Sequence, residues 1–156
     1  MNRKRFCPHD AVYGREAELA ALQWLARCGV TASGPGRRND PYGPDVAIDA
    51  MGPVRFLEIE RRRRGWSAGK FPWPTVNIPA RRLEKPTTPE SAFVLVRADL
   101  EMAFWIGPDV LQRVPEIGRP IRLPEIDDSG WSIPVEHVAG YLDFSRGTVC
   151  PFGGAF

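Results

Sequence analysis

The sequence is poor in the residues on which many small active sites are built. It has two histidines and three cysteines in 156 residues. Cys7, Cys28 and Cys150 are odd in number and scattered. That argues against a disulfide framework and fits a reducing compartment, so a cytoplasmic location is expected. There is no Cys-x2-Cys pair, so Cys7, His9, Cys28 and Cys150 lack zinc-site spacing. His9 and His137 stand far apart, with no Ser or Cys motif beside either. Neither Gly-x-Ser-x-Gly nor a P-loop occurs, which leaves a hydrolase elbow or an NTPase without support. No run approaches the ~20 apolar residues of a membrane helix. The opening MNRKRFCPHD is basic with no apolar stretch behind it, unlike a secretory signal. A membrane partner is therefore not expected. Internal repeats and low-complexity tracts are absent as well.

What is present is the balance of a globular chain, 43% hydrophobic and 26% charged, of a length that suits one domain. The formal charge of +2 hides an asymmetry. Residues 1–82 hold 15 Lys+Arg against 8 Asp+Glu, and residues 83–156 hold 6 against 11. A basic half in a near-neutral protein suggests a one-sided basic surface, and the usual polyanion for one is nucleic acid.

Sixteen prolines and 15 glycines cut the chain into short segments. Tyr13 to Cys28 reads as a helix, with Leu19, Leu22, Trp24 and Leu25 as apolar bulk and Gly29 as its stop. Residues 33–44 read as a loop. Asp45–Asp49 and Val54–Glu60 alternate as strands around the turn sequence Ala50-Met-Gly-Pro53, which predicts a hairpin. Thr75–Pro79 reads as a further strand. Ala92–Arg97 and Met102–Ile106 predict a second hairpin, and Pro108–Val114 a short helix. The expectation is a single α/β domain over residues 1–156, built on a central mixed sheet. Its core would span 12–114, with 115–156 as an irregular C-terminal extension.

The first hairpin carries the sharpest feature. If Asp49 faces Val54, then Asp45 lies directly opposite Glu58 on one face, with Glu60 next on that face. Residues so opposed have Cβ atoms roughly 4.5–5.5 Å apart, and like charges there destabilise the pair. A cation is therefore expected to offset the repulsion. Carboxylates at this spacing suit Mg²⁺, which takes one or two of them and leaves room for phosphate oxygens. A register shifted by one residue would instead send Asp45 and Glu58 to opposite faces.

Gly43-Pro-Asp45, twelve residues and then Glu58-Ile-Glu60 resembles the PD-(D/E)XK nuclease superfamily. There a Pro-Asp opens one strand and an acid-x-Lys motif sits on the next. Gly14-Arg-Glu-Ala-Glu-Leu-Ala-Ala-Leu-Gln-Trp-Leu25, ending at Gly29, resembles the superfamily's first helix. Glu18 takes the place of its early acid, with Glu16 as second choice. The resemblance covers roughly residues 12–85. It implies a restriction-endonuclease-like central mixed sheet flanked by helices, and a Mg²⁺-dependent DNA endonuclease in which Mn²⁺ can substitute. Asp45 and Glu58, with the Ile59 carbonyl, would hold the ion. Glu60 would align the attacking water, and Glu18 would serve a coordinated water or a second ion. Glu60 stands where the superfamily usually has lysine, a variant also found in active restriction endonucleases. Lys70, Arg81, Arg82 and Lys85 are the candidates to supply the missing positive charge and to contact nucleic acid.

Arg61, Arg62, Arg63 and Arg64 directly follow the acids. Guanidinium forks match phosphate geometry, so this run is expected on the DNA backbone. Trp66, Phe71 and Trp73, with Lys70 among them, suit base stacking or the packing of a loop onto the sheet. Two readings follow. One is a metal-dependent nuclease, dimeric if it cuts both strands. The other is a non-catalytic nucleic-acid-binding or accessory protein on a decayed nuclease fold. A basic residue facing Asp45 and Glu58 would bear on the choice.

Overall fold

A computed structural model of the chain describes residues 8–34, 44–49, 52–85, 87–124, 128–146 and 150–152. Helix α1, Pro8–Arg27, opens the fold. Ala17, Ala21, Trp24 and Leu25 form its buried stripe, at the spacing of one helical face. Leu19 points outward, 44% exposed. The helix ends on Gly29, whose φ of 76° suits a residue without Cβ. The Gly29 N–H donates to the Ala26 carbonyl at 3.0 Å and the Val30 N–H to the Leu25 carbonyl at 2.9 Å. This is the Schellman closure of a helix end. None of the described helices is long and apolar enough to cross a membrane.

The architecture is α/β. The strands are β1 (Thr31–Ser33), β2 (Val46–Asp49), β3 (Phe56–Arg61), β4 (Thr75–Pro79), β5 (Ser91–Val96), β6 (Met102–Ile106), β7 (Arg119–Leu123), β8 (Asp128–Pro134) and β9 (Gly140–Asp143). Six make one sheet in the order β1-β2-β3-β5-β6-β9, and three make another in the order β4-β8-β7. The larger sheet is mixed, since β3 and β5 run parallel while its other neighbours are antiparallel. Helices α2 (Pro108–Leu111) and α3 (Val114–Ile117) are single turns.

The β2–β3 hairpin takes the register read from the sequence, with Val46 opposite Leu57 and Ala47 opposite Phe56. Alternation along β3 then divides its residues. Leu57 and Ile59 join the apolar cluster under α1 with Val46, Ile48, Val94 and Val96. Glu58 and Glu60 pair with Phe93 and Leu95 of β5, which face the second cluster beside Val76, Ile78 and Ile133 of the smaller sheet. The acid row thus lies on the face that the smaller sheet covers.

Two expectations change here. Helices do not flank both faces, because one face carries α1 and the other a second sheet. The stretch after Pro115 is also not irregular, since it supplies β7, β8 and β9. Its prolines concealed these strands. Pro120 sits on the edge strand β7 and Pro134 at the end of β8, positions where a missing N–H costs no ladder bond.

Candidate active site

Asp45 stands just before β2 and Glu58 in the middle of β3, and both are buried. Gly34, just after β1, lets the chains approach here. A Cβ at Gly34 would lie 2.6 Å from the Asp45 carbonyl oxygen. Two buried carboxylates side by side need a counter-charge, and the chain supplies it after β4. A single 3₁₀ turn, Ala80–Arg82, carries Arg82 to the pair, and Lys85 follows three residues later.

Arg82 Nη1 donates to Asp45 Oδ2 at 2.9 Å and to Glu58 Oε2 at 2.7 Å. Its Nη2 donates to the Ile59 carbonyl at 3.1 Å. Lys85 Nζ straddles the Glu58 carboxylate, 2.9 Å from Oε1 and 3.0 Å from Oε2. The Ile59 N–H donates to Asp45 Oδ2 at 2.7 Å. Burial by itself would lower the Arg82 pKa, but Asp45, Glu60 and Glu58 outweigh it and hold the guanidinium above its ordinary value. Arg82 is therefore a fixed positive charge at the centre of three hard oxygens.

Comparison with protein families, with curated proteins and with solved structures finds no match to this chain. The reading of the site therefore rests on its own geometry.

The oxygens that meet Arg82 are the two carboxylates and the carbonyl expected to hold Mg²⁺. Hard oxygens converging on one cation position are the donor set such an ion takes, with waters completing its shell. Glu60, whose charge also helps hold the Arg82 guanidinium protonated, has its Oε2 buried without a hydrogen-bond partner. An orphaned anionic acceptor at the edge of the set also fits a cation or its water. Uptake of the ion requires Arg82 to release these oxygens. Among the described residues, no group of three or more His, Cys, Asp and Glu gathers as metal ligands. Glu18 is buried on α1, whose stripe packs against the opposite face of β3.

The basic residues divide by use. Arg82 and Lys85 belong to the acid centre. Arg61 serves the fold. It donates to the Ala98 carbonyl at 2.6 Å and to the Tyr13 carbonyl at 3.1 Å, and its guanidinium stacks 3.8 Å above the Tyr13 ring. With its side chain only 10% exposed, it is turned toward α1 by the same alternation that turns Glu60 and Arg62 the other way. Arg63, Arg64, Lys70 and Arg81 are exposed. Trp66 is buried in the second cluster and does not face solvent.

Two groups escaped the sequence reading. Arg97, buried beneath the Trp66–Lys70 loop, donates to the Gly69 carbonyl at 2.9 Å and pairs with Asp99. Thr75 and Asn77 face outward from β4 beside Trp73 and Arg62. The alternation of Thr75-Val-Asn-Ile was the available signal for the latter. A further hollow, about 660 Å³ between α1 and β1, has no charged side chain in its lining.

Proposed function

We propose that this protein is a Mg²⁺-dependent nuclease that hydrolyses phosphodiester bonds in DNA, with a restriction-endonuclease-like site at Asp45, Glu58 and Glu60. The observation that carries the reading is the convergence of the Asp45 and Glu58 carboxylates and the Ile59 carbonyl on one cationic centre. A buried charge cluster is a costly way to fill a core, since apolar residues of similar volume often do so as well or better.

Asp45, Glu58 and the Ile59 carbonyl would hold the ion. When bound, it supplies a Lewis acid for the phosphate and an activated water. Glu60 Oε2 accepts a proton from the attacking water, the task for which an unpartnered carboxylate oxygen is suited. Lys85 stays on Glu58 and keeps that carboxylate oriented. The released Arg82 guanidinium carries a charge that cannot be lost at neutral pH. Its fork matches two phosphate oxygens and suits the charge that builds there during displacement. Exposed Arg63, Arg64, Lys70 and Arg81 supply the sequence-independent attraction to DNA.

A second reading is favoured by one observation. Arg82 itself donates to all three oxygens, so a non-catalytic DNA-binding protein with a locked site has the same geometry. Labelled duplex, branched and single-stranded DNA incubated with Mg²⁺, Mn²⁺ or EDTA separates the two. Cleavage that requires the divalent ion and is lost in Asp45→Asn supports the nuclease. No cleavage of any DNA by protein that binds DNA normally leaves the second reading standing alone.

A further inference from the structure

We infer that the hollow beside Trp73 seats one unpaired base of a DNA strand whose phosphate lies at the acid centre. The inference rests on the nuclease reading and narrows its substrate to DNA with an unpaired nucleotide near the scissile bond. The hollow measures about 220 Å³ and is lined by Arg62, Phe71, Trp73, Pro74, Thr75 and Asn77. That is smaller than the roughly 300–1,000 Å³ of drug-sized sites, and it suits a single ring system.

Its walls have the chemistry of a base platform. Trp73 is 36% exposed, unusual for the largest aromatic side chain. It is held rigidly. Phe71 packs edge-on behind it at 5.1 Å, and Phe71 in turn packs on buried Phe104 at 5.0 Å. Gly65, with φ of 83°, leaves space that the Trp73 ring occupies. The Arg62 guanidinium stands 4.7 Å from the Trp73 ring centroid. An indole paired with a guanidinium plane offers π stacking and a cation–π contact to any base. Thr75 and Asn77 add a hydroxyl and an amide, able to meet the hydrogen-bonding edge that only an unpaired base leaves open.

Position ties the hollow to the acids. Glu58, Glu60 and Arg62 follow one another on the same side of β3, and the ladder continues through the Arg62 N–H, which donates to the Val96 carbonyl at 2.8 Å. At ~3.3 Å per residue, Arg62 lies about 13 Å along the strand from Glu58. A few nucleotides of an extended strand span that distance. A base inside a duplex is stacked and paired, and cannot enter without being flipped out.

The test is binding of a labelled single-stranded deoxyoligonucleotide with a non-hydrolysable phosphorothioate backbone, measured by anisotropy in Ca²⁺ so that the acid centre can hold an ion and no cleavage intervenes. The unaltered protein should prefer the single strand to a blunt duplex of the same sequence. Trp73→Ala should weaken single-strand binding about 5- to 150-fold, the range of one base–aromatic stack, with duplex binding unchanged. Trp73→Phe should retain most of the affinity. A strand of abasic residues offered to the unaltered protein should lose a comparable amount, which keeps the test independent of how the variants fold. Equal affinity for abasic and normal strands would overturn the inference even if divalent-dependent cleavage is found. Base-dependent binding without cleavage of any DNA would overturn the nuclease reading and leave the pocket in place.

Discussion

Replacing Arg82 by methionine isolates the charge at the acid centre, because methionine keeps much of the apolar stem while removing the guanidinium. Asp45 then loses its 2.9 Å partner and Glu58 its 2.7 Å partner. Removing one member of a buried ion pair costs about 3–5 kcal/mol. Lys85 still holds Glu58, and the Ile59 N–H still donates to Asp45, so the lower end, about 3 kcal/mol, is expected. For a chain of this size that is a fall of roughly 6–12 °C in Tm. The same variant frees the converging oxygens for a divalent ion. At a hundredfold excess over its Kd, Mn²⁺ returns about 2.7 kcal/mol, nearly the whole loss.

Differential scanning fluorimetry with and without Mn²⁺ reads both effects. Arg82→Met should gain more from Mn²⁺ than the unaltered protein, in which the ion must first displace the guanidinium. Adding Asp45→Asn should relieve the unpaired charge, so that the double variant is destabilised by less than the two single changes combined. It should also lose the Mn²⁺ response. An Arg82→Met protein as stable as the original, or a Mn²⁺ shift that survives Asp45→Asn, would refute the idea that these oxygens form a cation site.

Gly34→Val should destabilise the protein and weaken Mn²⁺ binding in calorimetry, because the new side chain meets the Asp45 backbone oxygen 2.6 Å away. Replacing exposed Arg63 and Arg64 with alanine should flatten the salt dependence of DNA binding, by about 0.9 in log–log slope for each lost duplex phosphate contact. Arg61→Ala should instead lower Tm with the slope unchanged, since Arg61 is spent on Ala98 and Tyr13. Asp99 is partly desolvated, which opposes ionisation. Hydrogen bonds from Arg97 and the Glu101 N–H outweigh this and hold its pKa below the ordinary value. Its contribution to stability is therefore present at neutral pH and is lost as pH falls below about 4. Asp99→Asn should flatten that limb of an acid-unfolding curve. Glu60→Gln should cut kcat strongly and leave DNA affinity nearly intact, because the amide keeps the shape but cannot take a proton.

The central hairpin was legible in the sequence because strand alternation and turn composition act locally. Burying Val46 and Ile48 with Leu57 and Ile59 rules out a one-residue slip, the four-residue turn selects among the registers left, and the one it selects brings Asp45 to Glu58. Arg82 and Lys85 were legible only as candidates. Reaching the acids takes a return from the smaller sheet, and no local pattern encodes the pairing of β4 with β8 more than fifty residues later. Arg61 misled for a related reason. In a run of four arginines the residues look equivalent, yet a strand turns alternate side chains to opposite faces. The run therefore divides, with Arg61 and Arg63 over the Tyr13 ring of α1 and Arg62 beside Trp73. The buried state of Asp45 and Glu58 was also hidden, because an alternating acidic strand reads equally as a wet surface until its covering sheet is known.

That burial sets the electrostatics of the site. Asp45, Glu58 and Glu60 face Arg82 and Lys85, leaving these five groups with a formal charge of −1. A phosphodiester also carries one negative charge, so the site as it stands repels the group it is proposed to cleave, and in a low-dielectric setting such repulsion is strong. With a divalent ion added, the same five groups total +1, the sign that draws a phosphate in. Arg82 would then serve both states without changing its own charge. In the absence of the ion it holds the carboxylates together and keeps the fold stable. In its presence it is released toward the phosphate. On this account DNA affinity at the acid centre rises with divalent ion in the unaltered protein and does not rise in Asp45→Asn. Binding of a non-hydrolysable phosphorothioate strand, compared between Ca²⁺ and EDTA, measures that difference. Equal affinity in the two conditions would mean that charge reversal at this site plays no part in holding DNA.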